Sequence, residues 1–166
     1  MLATLDFLVL QTLAHWLDVD CHIDVARRNG HRFMLVLAMD LDQAQPHARQ
    51  VQQAIGDCLW VNCPNAPLEH SINASQALQV LGSNHLGVIY NAHSEFNASA
   101  FSALAGTIEA GGIMVLQTPE LPQWVDVCDQ QLLAYGQSEQ GCKSWFKQWW
   151  IDQWYQTDAV CLYSPQ

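Results

Sequence analysis

Apolar and polar positions along this chain fall into blocks, and the blocks change period. Leu5, Leu8, Val9, Leu13 and Trp16 recur at helical spacing, so Leu2–Leu17 reads as an amphipathic helix. A polar connection over residues 18–31 carries Asn29-Gly30, a turn signal. Phe33–Met39 is then apolar without a break, the pattern of a strand covered on both faces of a parallel sheet. Gln43–Ile55 returns to helical spacing, and Gly56-Asp57 supplies its stop. The alternation continues. Leu59–Cys63, Leu86–Ala92, Gly112–Gln117 and Ala159–Tyr163 read as strands. Between them the pattern predicts a helix capped by Ser71 or Asn73 that runs through Leu81 to Gly82. Two more are predicted over Ala98–Ala110, capped by Asn97 and stopped by Gly111-Gly112, and over Lys143–Tyr155. Residues 123–140 are polar and irregular and predict no element.

Strands separated by helix-length segments argue for right-handed crossovers and a parallel sheet. The predicted fold is α/β, a three-layer Rossmann-like domain with a mainly parallel sheet of about five strands. It occupies residues 32–166, with residues 1–31 forming an N-terminal helix and its connection. The last predicted strand is followed only by Ser164-Pro165-Gln166. That ending reads as a cut at a linker and predicts the N-terminal part of a longer, multidomain protein.

Composition narrows the picture. With 166 residues, 50% of them hydrophobic and 13% charged, the chain suits one globular domain. A domain of that size buries roughly 70% of its unfolded surface. The formal charge is −10, from 16 acids against 6 basic residues. Nucleic-acid surfaces need clustered Lys and Arg to neutralise phosphates, and the only dense basic patch is Arg27, Arg28 and Arg32 with His31. RNA affinity residing in this segment alone is therefore not expected. The six cysteines (21, 58, 63, 128, 142 and 161) include no C-x-x-C pair. Cys58, Cys63 and Cys161 lie in apolar runs, which predicts reduced, buried thiols and a reducing cytoplasm. Strand alternation sends Cys58 and Cys63 to opposite faces. Met1–Leu17 carries Asp6 and no early Lys or Arg, unlike a signal peptide, and Phe7–Leu10 is too short to cross a membrane.

The familiar α/β chemistries lack their motifs. No G-x-G-x-x-G follows Phe33–Met39; the turn there reads Asp40-Leu41-Asp42-Gln43, where two carboxylates would repel a pyrophosphate. No P-loop and no G-x-S-x-G elbow occur. Asp40 and Asp42, at the carboxyl end of the first core strand, can hold Mg²⁺ through oxygen ligands. The plainer reading is a solvated loop with Asp42 capping the next helix. Asn91 lies near the end of the third core strand, and His93 and Glu95 in the loop after it, at the same sheet edge. A His–Glu pair lining a pocket can do acid–base work, as in a small hydrolase, though no nucleophile stands beside it; the alternative is a polar surface loop. Trp145/Trp149, Phe146/Trp150 and Trp150/Trp154 are i,i+4 pairs on one predicted helix. Trp145, Trp149, Trp150 and Trp154 read as core packing or as a docking face, with Lys143 and Lys147 beside them. Asn73-Ala74-Ser75 and Asn97-Ala98-Ser99 match the glycosylation pattern and are better explained as helix caps.

The run A-F-S-A-L-A-G-T-I-E-A-G-G, Ala100–Gly112, resembles a segment of the N-terminal domain of the tRNA(Met) cytidine acetyltransferases. The surroundings fit as well: the Phe33–Met39 strand, Trp60 within Cys58–Cys63, Leu81-Gly82, and an apolar strand ending near Pro119 and Trp124. The chain departs from that pattern at the turn, where Asn91, Glu95 and Asn97 stand for the family's Asp, Gly and Asp. The resemblance implies an accessory or scaffold domain without catalytic residues of its own. It implies downstream helicase-like and acetyltransferase modules in one chain, using ATP with Mg²⁺ and acetyl-CoA, and tRNA bound by the whole protein. No cofactor is implied for this segment and no membrane. From the residues alone, a free-standing Rossmann-like ligand-binding or protein-interaction module remains the alternative.

Overall fold

A computed structural model describes residues 28–128, 136, 143–157 and 159–164. The predicted Leu2–Leu17 helix, Arg27 and most of the irregular segment lie outside the described residues. Six strands form one sheet: β1 (Phe33–Ala38), β2 (Cys58–Val61), β3 (Ser71–Ile72), β4 (His85–Asn91), β5 (Ile108–Thr118) and β6 (Val160–Tyr163). Their spatial order is β3-β2-β4-β5-β1-β6, and all five pairings are parallel. The α/β Rossmann-like prediction holds, with one more strand than expected. Ser71–Ile72 was read as a cap and helix start; its two residues are too few for a periodic signal.

Alternation divides the core. Leu35 and Leu37 of β1 face one cluster, packed on α1 (Leu41–Ile55) through Ala44, Ala48 and Val51. Val36 and Ala38 face the other, packed on α2 (Ala98–Ala105), α3 (Leu121–Asp126) and α4 (Trp145–Trp154). Such strands are buried on both sides because helices cover both faces. α1 stops where the sequence predicts: Gly56 takes φ 98°, and its N–H donates to the Gln52 carbonyl at 2.8 Å. Residues 74–80 form a 3₁₀ helix preceded by Asn73, with Gln76 Oε1 accepting the Asn73 N–H at 2.9 Å.

Four predictions are corrected. The helix over Ala98–Ala110 ends at Ala105; Gly106 breaks it, and Thr107 Oγ1 donates to the Leu104 carbonyl at 2.7 Å. Ile108 belongs to β5, and Gly111-Gly112 form an irregularity inside that strand. His85 pairs Ile108 while Gly87 pairs Ile113, so β5 takes five steps where β4 takes two. Gly111 adopts φ 81° there. A Cβ on Gly112 would stand 2.5 Å from the Leu86 carbonyl oxygen, which is why no side chain fits. Second, Asp42 does not cap α1; the helix begins at Leu41 after Asp40, with no side-chain cap. Third, Cys58 and Cys63 share one core cluster, because β2 ends at Val61 and Asn62 turns the chain with φ 55°. Fourth, Gln123–Asp126 is helical rather than irregular. Among the described cysteines, Cys58, Cys63 and Cys161 are free, but Cys128 is disulfide-bonded. Cys128 sits in a polar stretch after α3, where no apolar run shelters a lone thiol. Among the described residues no helix is long and apolar enough to cross a membrane.

Candidate functional site

The segment 91–97, between β4 and α2, ties together the carboxyl edge of the sheet. Asn91 is buried; its Nδ2 donates to the Asn62 carbonyl at 2.9 Å, and its Oδ1 accepts the His93 N–H at 3.0 Å. The His93 ring lies between two acceptors, with Nδ1 2.8 Å from Asn91 Oδ1 and Nε2 2.9 Å from the Met39 carbonyl. A neutral ring satisfies one of them and an imidazolium both. Against this, burial lowers the His93 pKa from 6.5, opposed by the Met39 bond and the Asp40 charge. Burial is the largest of these effects, so the ring is predominantly neutral at pH 7. With Nε2–H donating to the Met39 carbonyl and the backbone N–H to Asn91 Oδ1, a neutral His93 still links the end of β1 to the end of β4. β4 ends at Asn91, so strand alternation does not reach His93 and Glu95.

Glu95 instead lines an open pocket of about 310 Å³ with Asn62, Cys63, Pro64, Ser71, Ile72, Asn73 and Ser94. Asp40 and Asp42 are exposed at the end of β1 and do not line it. Among the described residues no three His, Cys, Asp or Glu groups gather closely enough to hold a metal ion. Cys63, in the pocket wall, is pushed up to about 12 by burial, only partly countered by backbone hydrogen bonds. It is a packed thiol and no nucleophile. Asn62 is the hinge of the wall. Its Oδ1 accepts the Ala74 N–H at 2.9 Å and its N–H donates to the Ile72 carbonyl at 3.0 Å. Asn62 and Ser94 were not singled out from sequence, and Ser71 and Asn73 were read only as helix caps; the available signal was an Asn at a strand end two residues before Pro64, since Asn tolerates φ > 0.

On its other side the segment buries Phe96 in a ring cluster. Phe96 stacks on Trp150 at 5.3 Å and on Phe146 at 6.5 Å, and meets Trp124 edge-on at 5.4 Å. Trp124 Nε1 donates to the Ala92 carbonyl at 3.1 Å. Asn97 Oδ1 accepts the Ala100 N–H at 2.9 Å, capping α2 as predicted. The four tryptophans of α4 divide. Trp154 and Trp150 pack inward, whereas Trp145 is 74% and Trp149 56% exposed, with Phe146 beside them at 45%. Phe146, Trp149 and Trp150 form one wall of a groove of about 390 Å³ against Phe101, Ser102 and Ala105 of α2. Lys147 joins none of this surface. It is fully buried, 5.2 Å from the Trp124 ring centroid, and its Nζ donates to the carbonyls of Trp124 at 3.3 Å and Val127 at 3.0 Å. Of the basic patch, Arg32 Nε donates to the Ile108 carbonyl.

Comparisons with known proteins place the chain in a family. The family model described as "tRNA(Met) cytidine acetyltransferase TmcA, N-terminal" matches residues 13–165. The chain belongs to this family. It is similar to the tRNA(Met) cytidine acetyltransferase TmcA of Citrobacter koseri, 37% identical over 117 residues, covering 68% of this chain and 17% of the relative. The Photorhabdus asymbiotica protein is 30% identical over 112 residues, covering 67% and 16%. The tRNA(Met) cytidine acetyltransferase TmcA of Haloferax volcanii is 31% identical over 103 residues, covering 60% and 14%. The matched segment is thus about one-sixth of the length of the first two relatives.

Proposed function

We propose that this domain is the accessory, scaffolding N-terminal part of an enzyme that acetylates N4 of the wobble cytidine of elongator tRNA(Met). The observation that carries the reading is the family match over residues 13–165, against relatives of which so small a share is covered. In this reading the chemistry belongs to the remainder of the longer protein: a helicase-like module using ATP with Mg²⁺, and an acetyltransferase module taking its acetyl group from acetyl-CoA. The domain's own residues serve as structure. His93 holds two strand ends together, and Cys63 is a buried thiol, so neither is poised to attack a substrate. The exposed row of Trp145, Trp149 and Phe146 is the face that docks on the downstream modules, since large aromatics are enriched in interface cores. The net charge of −10 assigns the tRNA contact to those modules rather than to this surface. The free thiols Cys58, Cys63 and Cys161 suit the cytoplasm, where tRNA is modified; the Cys128 bridge is the one feature that does not.

Reading the native gene past codon 166 tests this. Continuation into G-x-x-x-x-G-K-[ST] and then an acetyltransferase module is expected. A stop codon at that point would leave the second reading, a free-standing binding module, which the pocket beside Glu95 favours.

A further inference from the structure

The path of the chain through the sheet singles out one crevice. From β2 the chain leaves toward β3, on one side; from β4 it leaves toward β5, on the other. β2 and β4 are neighbours, so their outgoing loops diverge above the sheet and leave a gap between them. Ligands of open α/β sheets bind at such a switch point, outside the carboxyl ends of the strands. The neighbouring pairs β3/β2 and β5/β1 have outgoing connections that converge, and they leave no such gap. The 310 Å³ pocket lies at the diverging pair: Asn62, Cys63 and Pro64 follow β2, Ser94 and Glu95 follow β4, and Ser71–Asn73 close the side. Topology and cavity pick the same place independently.

The lining states the chemistry. Glu95 is half-buried and its carboxylate has no ion pair or hydrogen bond among the described residues. Ser71 and Ser94 also line the pocket, and neither hydroxyl has a hydrogen-bond partner among the described residues. Asn62 keeps its Nδ2 as a donor, its Oδ1 being taken by Ala74. Ile72 and Pro64 give apolar wall, and among the described residues no Lys, Arg or His lines the site. A phosphate would meet a carboxylate there with nothing to neutralise it. A ligand with vicinal hydroxyls or an amino group would find acceptors, because a carboxylate at a strand end is a recurrent partner for ribose hydroxyls. The volume is at the small end of ligand pockets, which run from roughly 300 Å³ upward. We propose that this switch-point pocket binds an unphosphorylated ribonucleoside, with Glu95 accepting from the ribose hydroxyls and Ser71, Ser94 and Asn62 meeting the remaining polar edge. This site does not depend on the downstream modules; it goes beyond the scaffolding reading and leaves it intact.

The test is a titration of the isotopically labelled 166-residue chain with adenosine and cytidine, followed by amide NMR. One or both nucleosides are expected to shift the amides of Asn62, Ile72, Asn73, Ser94 and Glu95 at low-millimolar concentration. The bound nucleoside's 5′-monophosphate and 2′-deoxy form should each bind roughly tenfold more weakly. Glu95→Gln should weaken the nucleoside by a similar factor and narrow the gap to its monophosphate, while leaving the rest of the spectrum in place. No shifts at these amides, shifts centred elsewhere, or a monophosphate that binds as well as its nucleoside would each overturn the proposal. Loss of nucleoside binding would not touch the docking role, which is read from the Trp145–Trp149 face.

Discussion

The division of α4 into a buried and an exposed row makes a quantitative prediction. Trp154 is 5% exposed, stacked on Trp124 at 5.9 Å and edge-on to Trp150 at 4.9 Å. A tryptophan buries roughly 200 Å², which at ~25 cal/mol per Å² is about 5 kcal/mol as an upper figure. Trp154→Ala should therefore cost about 3–5 kcal/mol, the range for large aromatic truncations in cores. Trp149 is 56% exposed, so less than half of its surface is covered and the ceiling falls to about 2 kcal/mol. Alanine's better helix propensity returns about 0.5 kcal/mol of that. Trp149→Ala should cost about 1.5 kcal/mol or less. In a domain of this size each kcal/mol moves Tm by roughly 2–4 °C. The expected losses are then roughly 6–20 °C for Trp154→Ala and under ~6 °C for Trp149→Ala. Thermal unfolding of the two variants, followed by near-ultraviolet circular dichroism, reads both. Equal losses, or the reverse order, would refute the inference that this helix has one face for the core and one for a partner.

Three further outcomes follow from individual residues. Gly112→Ala should destabilise by about 2–4 kcal/mol, because the new Cβ meets the Leu86 carbonyl at 2.5 Å. Gly87→Ala should cost less, about 1–2 kcal/mol, since its obstacles are the Ile55 Cδ1 and Cys58 Sγ atoms at 2.7 and 2.8 Å, which can move; urea titration of both ranks them. The His93 pKa is lowered, so the folded state binds fewer protons than the unfolded one. Its contribution is present above 6.5 and is lost as pH falls from there through the lower folded value. Stability measured between pH 7 and 5 should fall less steeply in His93→Gln than in the parent; an unchanged or steeper slope would reverse the assignment of burial as the dominant effect. Cys58 and Cys63 are both pushed up to about 12, by burial first and, for Cys58, by the Asp57 charge second. At pH 8 roughly one thiol in ten thousand is then ionised, so iodoacetamide should label neither until urea unfolds the chain. Rapid labelling of the native protein, seen by peptide mass spectrometry, would contradict that packing.

Most of the sheet was legible because its strands are long, continuous apolar runs. Phe33–Met39, Leu86–Ala92 and Ala159–Tyr163 matched the observed strands to within a residue or two at each end. What was hidden depends on single residues. Gly106 ends α2 early because a Gly after Ala105 competes with a helical pattern that continues through Ile108, and the pattern alone cannot weigh the two. The β5 irregularity is invisible until Gly112 is seen against the Leu86 carbonyl. Asn62 reverses the alternation at one φ angle and so moves Cys63 to the face that Cys58 occupies. The polar edge was located correctly in space, but its grouping was not: Asp40 and Glu95 lie at strand ends separated by β5 in the sheet order. Which ends diverge is set by that order, and no local pattern encodes it. Lys147 shows the same limit, since a lysine between tryptophans reads as surface until its Nζ is found on two backbone carbonyls.

The central claim is that this domain belongs to, and serves, a tRNA(Met) cytidine acetyltransferase. The direct measurement is N4-acetylcytidine in purified elongator tRNA(Met), by nucleoside mass spectrometry, from cells with the native gene and from cells in which it is deleted. The modification should vanish on deletion and return with the whole gene but not with codons 1–166 alone. Unchanged N4-acetylcytidine in the deleted strain would contradict the account.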